Sequence, residues 1–136
     1  MFRVSREITF CYGHRLLGYE GKCRYLHGHN GKLVLTFETS ELDDQGMVVD
    51  FGEIKRVVGG WIDENLDHQM ILHRDDPAVP VLAELGEPVF VMDRTPTAEN
   101  IARLIAEFAL SQGLPLVEIR LWETPGCSAT YWPRKA

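Results

Sequence analysis

Apolar and polar residues alternate with a period of two over residues 2–12. Val4, Ile8, Phe10 and Tyr12 share one parity against Ser5, Glu7 and Thr9, with Arg6 as the exception. Successive side chains of an extended backbone leave opposite faces, so the pattern predicts a strand with one buried face. Residues 29–39 repeat it through Leu33, Leu35 and Phe37, and "DDQGM" after them reads as a turn. From 51 to 65 the period lengthens. Phe51, Ile54, Val57, Val58, Trp61 and Ile62 keep helical spacing behind an Asp50 N-cap and a Glu53 placed for a capping box, although Gly59 and Gly60 weaken the helix. "EPVFVMD" suggests a short extended piece. A second helix follows Thr97, runs through Ile101, Leu104, Ile105 and Phe108, and stops near Gly113 with Pro115 beyond. "LVEIRLWE" alternates again, and "SATYW" offers a last short strand. The order strand, strand, helix, helix, strand, strand predicts an α+β domain with an antiparallel sheet.

Composition narrows the class. With 136 residues, 45% hydrophobic and 25% charged, the chain suits one globular domain over residues 1–136. No apolar run approaches the roughly 20 residues that span a bilayer, and the N-terminus does not read as a signal peptide, so no membrane role and a cytoplasmic location are expected. A net charge of −6 argues against a general nucleic-acid surface. Arg15, Lys22 and Arg24 crowd one loop, either as solvated charges or as a local anion pocket. Three cysteines, Cys11, Cys23 and Cys127, cannot pair completely, which favours metal binding, catalysis or burial over a disulfide framework.

Parity then gives the stretch "CRYLHGHN" its meaning. His27 and His29 are two apart and share the parity of Leu33, Leu35 and Phe37, while His14 shares that of Phe10 and Tyr12. Two antiparallel neighbours joined by residues 15–26 would bring three imidazoles together at one end of the sheet. Such a trio suits Zn²⁺ with a fourth position open. Cys23 would close the site as a fourth ligand, or stand beside it as an acid, base or nucleophile. Asp67 directly before His68 could orient that imidazole for proton transfer, or His68 could cap the helix. Glu123 continues the face of Val117, Ile119 and Leu121. It could pair with an arginine, or accept two parallel hydrogen bonds from a planar amide or amidine. Glu99 sits where a negative charge favours the start of the second helix.

Six motifs in order, "ITFCYGHRL", "CRYLHGHN", "VVDFGEIK", "NLDHQMI", "PTAENIA" and "LWETPGCSATYW", cover nearly the whole chain. Together they resemble the 6-pyruvoyltetrahydropterin synthase family. The Cys-x₃-His-Gly-His spacing is similar to its queuosine-pathway branch, whose members make 6-carboxytetrahydropterin. The resemblance implies a tunnelling fold, a four-stranded antiparallel sheet with two helices packed on one face, in which three subunits close a barrel and two rings form a homohexamer with sites between subunits. It implies His14, His27 and His29 as zinc ligands, and Cys23, Asp67 and His68 as the proton-transfer residues. Glu123 would anchor the pterin ring, with Glu99 also binding substrate. The implied substrate is 7,8-dihydroneopterin triphosphate, which gives the basic loop a phosphate partner. Conversion to 6-carboxy-5,6,7,8-tetrahydropterin with loss of acetaldehyde and triphosphate is expected, the alternative being the pyruvoyl product. Cys11 and Tyr12 depart from the small residues that many family members carry before the first histidine. Outside the family, a non-catalytic Cys-His₃ structural zinc would need sulfur in the metal's coordination sphere, and a zinc hydrolase would lack the HExxH pattern.

Overall fold

In the computed structural model of the chain, which describes residues 1–133, the first alternating segment becomes β1 (Phe2–His14). It pairs antiparallel along its full length with β2 (His27–Thr39), with Phe2 opposite Thr39 and His14 opposite His27. Residues 134–136 of the expected domain lie outside the described residues. The helical stretch at 51–65 is α1, whose middle widens into a π-helical turn over Lys55–Gly59, ending at the first of its two glycines. The Asp50 carboxylate caps α1 by accepting from the Gly52 N–H at 2.7 Å. Glu53 does not complete the box, because its carboxylate is taken by Arg56 one turn on.

The sheet is larger than the four antiparallel strands expected. It has six, β3 (Gln69–His73), β4 (Val89–Met92), β5 (Leu116–Thr124) and β6 (Cys127–Tyr131) joining the first two in the order β4-β3-β1-β2-β5-β6. It is also mixed: β3 runs parallel to β1, and β4 parallel to β3. The expectation of two helices also needs correction, since a short α2 (Ala78–Glu84) precedes α3 (Ala98–Ser111). Pro80 lies within the first turn of α2, where its missing N–H has no helical partner to lose.

One core joins the sheet to the two longer helices. Leu33, Leu35, Phe37, Ile119 and Leu121 from the strands pack with Ile54, Val58 and Ile62 of α1 and Ile101 and Ile105 of α3, all without exposed surface. Each such side chain contributes about 1.5–3 kcal/mol on burial. The opposite face of β1, with Arg3, Ser5, Glu7, Thr9 and Cys11, is exposed. The covered face is therefore fixed by parity, and the histidines at the ends of β1 and β2 point into it.

Candidate metal centre

His14 stands opposite His27 in the ladder, and His29 opposite Tyr12. The three imidazole centroids lie 4.6 Å (His14–His27), 5.1 Å (His14–His29) and 5.1 Å (His27–His29) apart. One nitrogen of each falls within 4.8 Å of the others, and among the described residues this trio is the cluster able to hold a metal. Two backbone carbonyls orient the rings. Pro96 O lies 2.7 Å from His14 Nδ1, and Tyr25 O lies 2.7 Å from His27 Nδ1. A carbonyl can only accept, so both Nδ1 atoms carry the proton and both Nε2 atoms present a lone pair. Nε2 of His14 and of His29 are 3.2 Å apart, close to the about 3.3 Å edge of a tetrahedron with Zn–N bonds near 2.0 Å. Burial holds the His14 pKa below its ordinary value, against the Pro96 carbonyl, which favours the neutral ligand form. The donor set and its hydrogen bonds fit zinc.

Glu123 borders this cluster, as its parity predicts. Its Oε1 is 3.7 Å from His14 Nε2 and its Oε2 3.9 Å from His29 Nε2. The Tyr12 hydroxyl donates to Oε1 at 3.4 Å. Burial first, then the Glu123 charge, push the Tyr12 phenol well above its usual range, so it serves as a neutral donor.

The other candidates are not members of the trio. Cys23 lies in a 3₁₀ turn, Lys22–Arg24, and is not part of the histidine cluster, so the cluster has no sulfur member. Asp67 and His68 turn the chain from α1 into β3. His68 adopts a left-handed backbone (φ 58°), rare for a residue with a side chain. Its N–H donates to Cys11 O at 2.6 Å, and Asp67 Oδ1 accepts from the Cys11 N–H at 2.9 Å. Asp67 Oδ2 holds His68 Nδ1 at 2.8 Å, leaving Nε2 toward solvent with the side chain 79% exposed. Burial works to raise the Asp67 carboxyl, but the Cys11 N–H and His68 hold it below its ordinary value. His68 and His27 both line an open cavity of about 550 Å³ that also includes Cys11, Gly13 and Met70. Glu99 is exposed in the first turn of α3, whose Thr97 N-cap accepts from the Asn100 N–H at 3.2 Å.

The basic loop resolves differently for each residue. Arg15 forms a fork on the buried Asp76 and is committed to it. Arg24 lies over the Tyr25 ring, 4.7 Å from its centroid. The sequence left no mark of the Tyr25 and Pro96 carbonyls, because backbone groups carry no residue signature. It showed Tyr12 as an oddity without showing that its hydroxyl meets Glu123.

Three histidines that could hold a metal, with a carboxylate beside them at one end of a β-sheet packed by two long helices, are the arrangement that the six sequence motifs imply for a pterin synthase. Comparison with known proteins agrees: residues 3–134 match the family described as 6-pyruvoyl tetrahydropterin synthase, and the chain belongs to that family. It is 41% identical over 134 residues to a 6-carboxy-5,6,7,8-tetrahydropterin synthase of Rickettsia bellii, covering 93% of this chain and 97% of that one. It is 35% identical over 140 residues to the Haemophilus influenzae protein of the same name, covering 96% and 99%. The solved Caenorhabditis elegans 6-pyruvoyl tetrahydropterin synthase shares the fold, with a TM-score of 0.73 at 23% identity over 98% of this chain and 96% of that one.

Proposed function

We propose that this chain is a zinc-dependent 6-carboxy-5,6,7,8-tetrahydropterin synthase, a single-domain lyase of queuosine biosynthesis. It converts 7,8-dihydroneopterin triphosphate to the carboxy product with release of acetaldehyde and triphosphate. The observation that carries the reading is the histidine trio with Glu123 beside it, in a chain whose relatives bear that name over nearly their full length.

His14, His27 and His29 hold the metal, with Pro96 and Tyr25 keeping two of the rings in the ligand tautomer. Bound zinc supplies a Lewis acid that lowers the pKa of a substrate hydroxyl. Glu123 accepts the 2-amino and ring N–H of the pterin as a pair, fixing the ring. Cys23 gives and takes a proton at its sulfur. His68 does so at Nε2, with its tautomer set by Asp67 at Nδ1. Glu99 lends a further carboxylate to substrate binding, and Lys22 is the cation of the 15–26 loop left for the triphosphate. Asp67 and His68 are not members of this chain's histidine cluster, and we read them as serving the site of a neighbouring subunit. We therefore read the working form as a homo-oligomer, a trimeric tunnelling-fold barrel doubled to a hexamer. The exposed Leu17, Tyr19, Tyr25 and Leu26 beside the site support this.

The test is product identity. Zinc-loaded protein incubated with 7,8-dihydroneopterin triphosphate should yield the carboxy pterin by mass. A pyruvoyl product would move the chain to the other branch, and no turnover with zinc bound would favour a structural metal.

A further inference from the structure

Tyr12 is one of the largest fully buried side chains in the molecule, yet it carries a hydroxyl and sits at the metal end of the core. Its ring is held from several sides. Phe10 stacks on it with centroids 5.1 Å apart, and His14 meets it edge-on at 5.4 Å. From β2, Gly31 faces it without a side chain: a Cβ at Gly31 would lie 3.0 Å from Tyr12 Cε1 and 3.3 Å from Leu121 Cδ1. The ring thus occupies the space that Gly31 leaves, and the pair Tyr12 and Gly31 behaves as one packing unit. A ring fixed in this way delivers its hydroxyl to one place, Oε1 of Glu123.

We propose that Tyr12 is a positioning residue for the pterin: its hydroxyl, aimed by the Phe10, His14 and Gly31 surroundings, sets the orientation of the Glu123 carboxylate that receives the ring. This rests on Glu123 being the pterin anchor. A carboxylate offers about four lone-pair sites. Tyr12 occupies one of those on Oε1, which restricts rotation of the carboxylate about its last bond. Both oxygens keep a lone pair for two parallel N–H donors. Without the hydroxyl the carboxylate rotates freely, and part of the binding free energy goes into ordering it. No proton need leave Tyr12 in this role, since a neutral phenol donates throughout.

The experiment uses the zinc-loaded chain and 6-methylpterin, a probe with the ring but none of the side-chain hydroxyls, followed by fluorescence titration. Tyr12→Phe keeps the ring and removes only the hydroxyl. Its pterin Kd should rise about three- to tenfold, the cost of ordering one side chain on binding. Zinc content and melting temperature should stay at the wild-type values, and in turnover KM should rise with kcat nearly unchanged. Glu123→Gln should weaken binding further, and adding Tyr12→Phe to it should change the Kd by less than about twofold, because the two residues act as one unit. Gly31→Ala, which crowds the ring while leaving every polar group in place, should weaken pterin binding in the same direction and guards against a failure of Tyr12→Phe to fold. If Tyr12→Phe and Gly31→Ala both bind the pterin as wild type does while Glu123→Gln does not, the proposal is overturned and Glu123 stands as the anchor. If Glu123→Gln binds like wild type, the anchor reading itself falls and takes the proposal with it.

Discussion

Replacing Arg15 by methionine keeps most of the aliphatic stem and removes the fork that meets Asp76. The Asp76 side chain has no exposed surface and that of Arg15 is 23% exposed. In the variant the carboxylate keeps one donor, the Ala78 N–H at 2.8 Å. Breaking a buried pair from one side costs about 3–5 kcal/mol, and the remaining N–H with partial access of water brings this to about 2–3 kcal/mol. For a domain of this size each kcal/mol moves the melting temperature by about 3–5 °C, so a fall of about 10 °C is expected in calorimetry. Arg56→Met, which removes the exposed partner of Glu53, serves as the control and should leave the melt unchanged. The pH dependence has a definite sign. Hydrogen bonding from Arg15 holds the Asp76 carboxyl below its ordinary value. Its contribution is therefore complete above the unfolded pKa of about 3.9 and is lost as pH falls through the lower folded value, so the gap between wild type and variant should close only in acid. Arg15→Met/Asp76→Asn should recover part of the loss, since no buried charge is left unpaired. A single variant melting within about 2 °C of wild type at neutral pH would refute the reasoning. The pair matters beyond stability: Arg15 follows His14 and opens the loop that carries Cys23, so the same contact moors that loop to the start of α2.

Chelation should abolish turnover while the far-ultraviolet circular dichroism at 25 °C stays native, because the trio sits on a sheet with its own core; loss of that signal would instead mark a structural metal. Cys23→Ala should retain zinc by atomic emission and lose about 100-fold or more in kcat, as removal of a proton-transfer group does, and full turnover with zinc bound would disprove the thiol's role. Asp67→Asn loosens His68 and the Cys11 N–H together, so kcat should fall about 10- to 100-fold with unchanged zinc content.

Much of this arrangement was legible before any coordinates. Parity alone placed His14, His27, His29 and Glu123 on the covered face, because a period of two converts sequence spacing into direction. The capping residues Asp50 and Thr97 marked both long helices. β4 falls in the extended piece read at "EPVFVMD", whereas β3 is short, follows no alternation and escaped notice. In β3 the neighbours Ile71 and Leu72 are both fully buried, one on each face, so the segment reads as an apolar run after a helix rather than as a strand. α2 hides behind Pro77 and Pro80, which suggest a loop. The pairing of Arg15 with Asp76 bridges 61 residues of sequence and has no local signal, which is why Arg15 was counted with the free cations of its loop.

The central claim is a reaction that both eliminates triphosphate and cuts the side chain. Its most direct test is the ratio of acetaldehyde formed to 7,8-dihydroneopterin triphosphate consumed by the zinc-loaded enzyme, read over the full time course. One acetaldehyde for each pterin is the result expected. Consumption of the pterin without acetaldehyde would contradict the account.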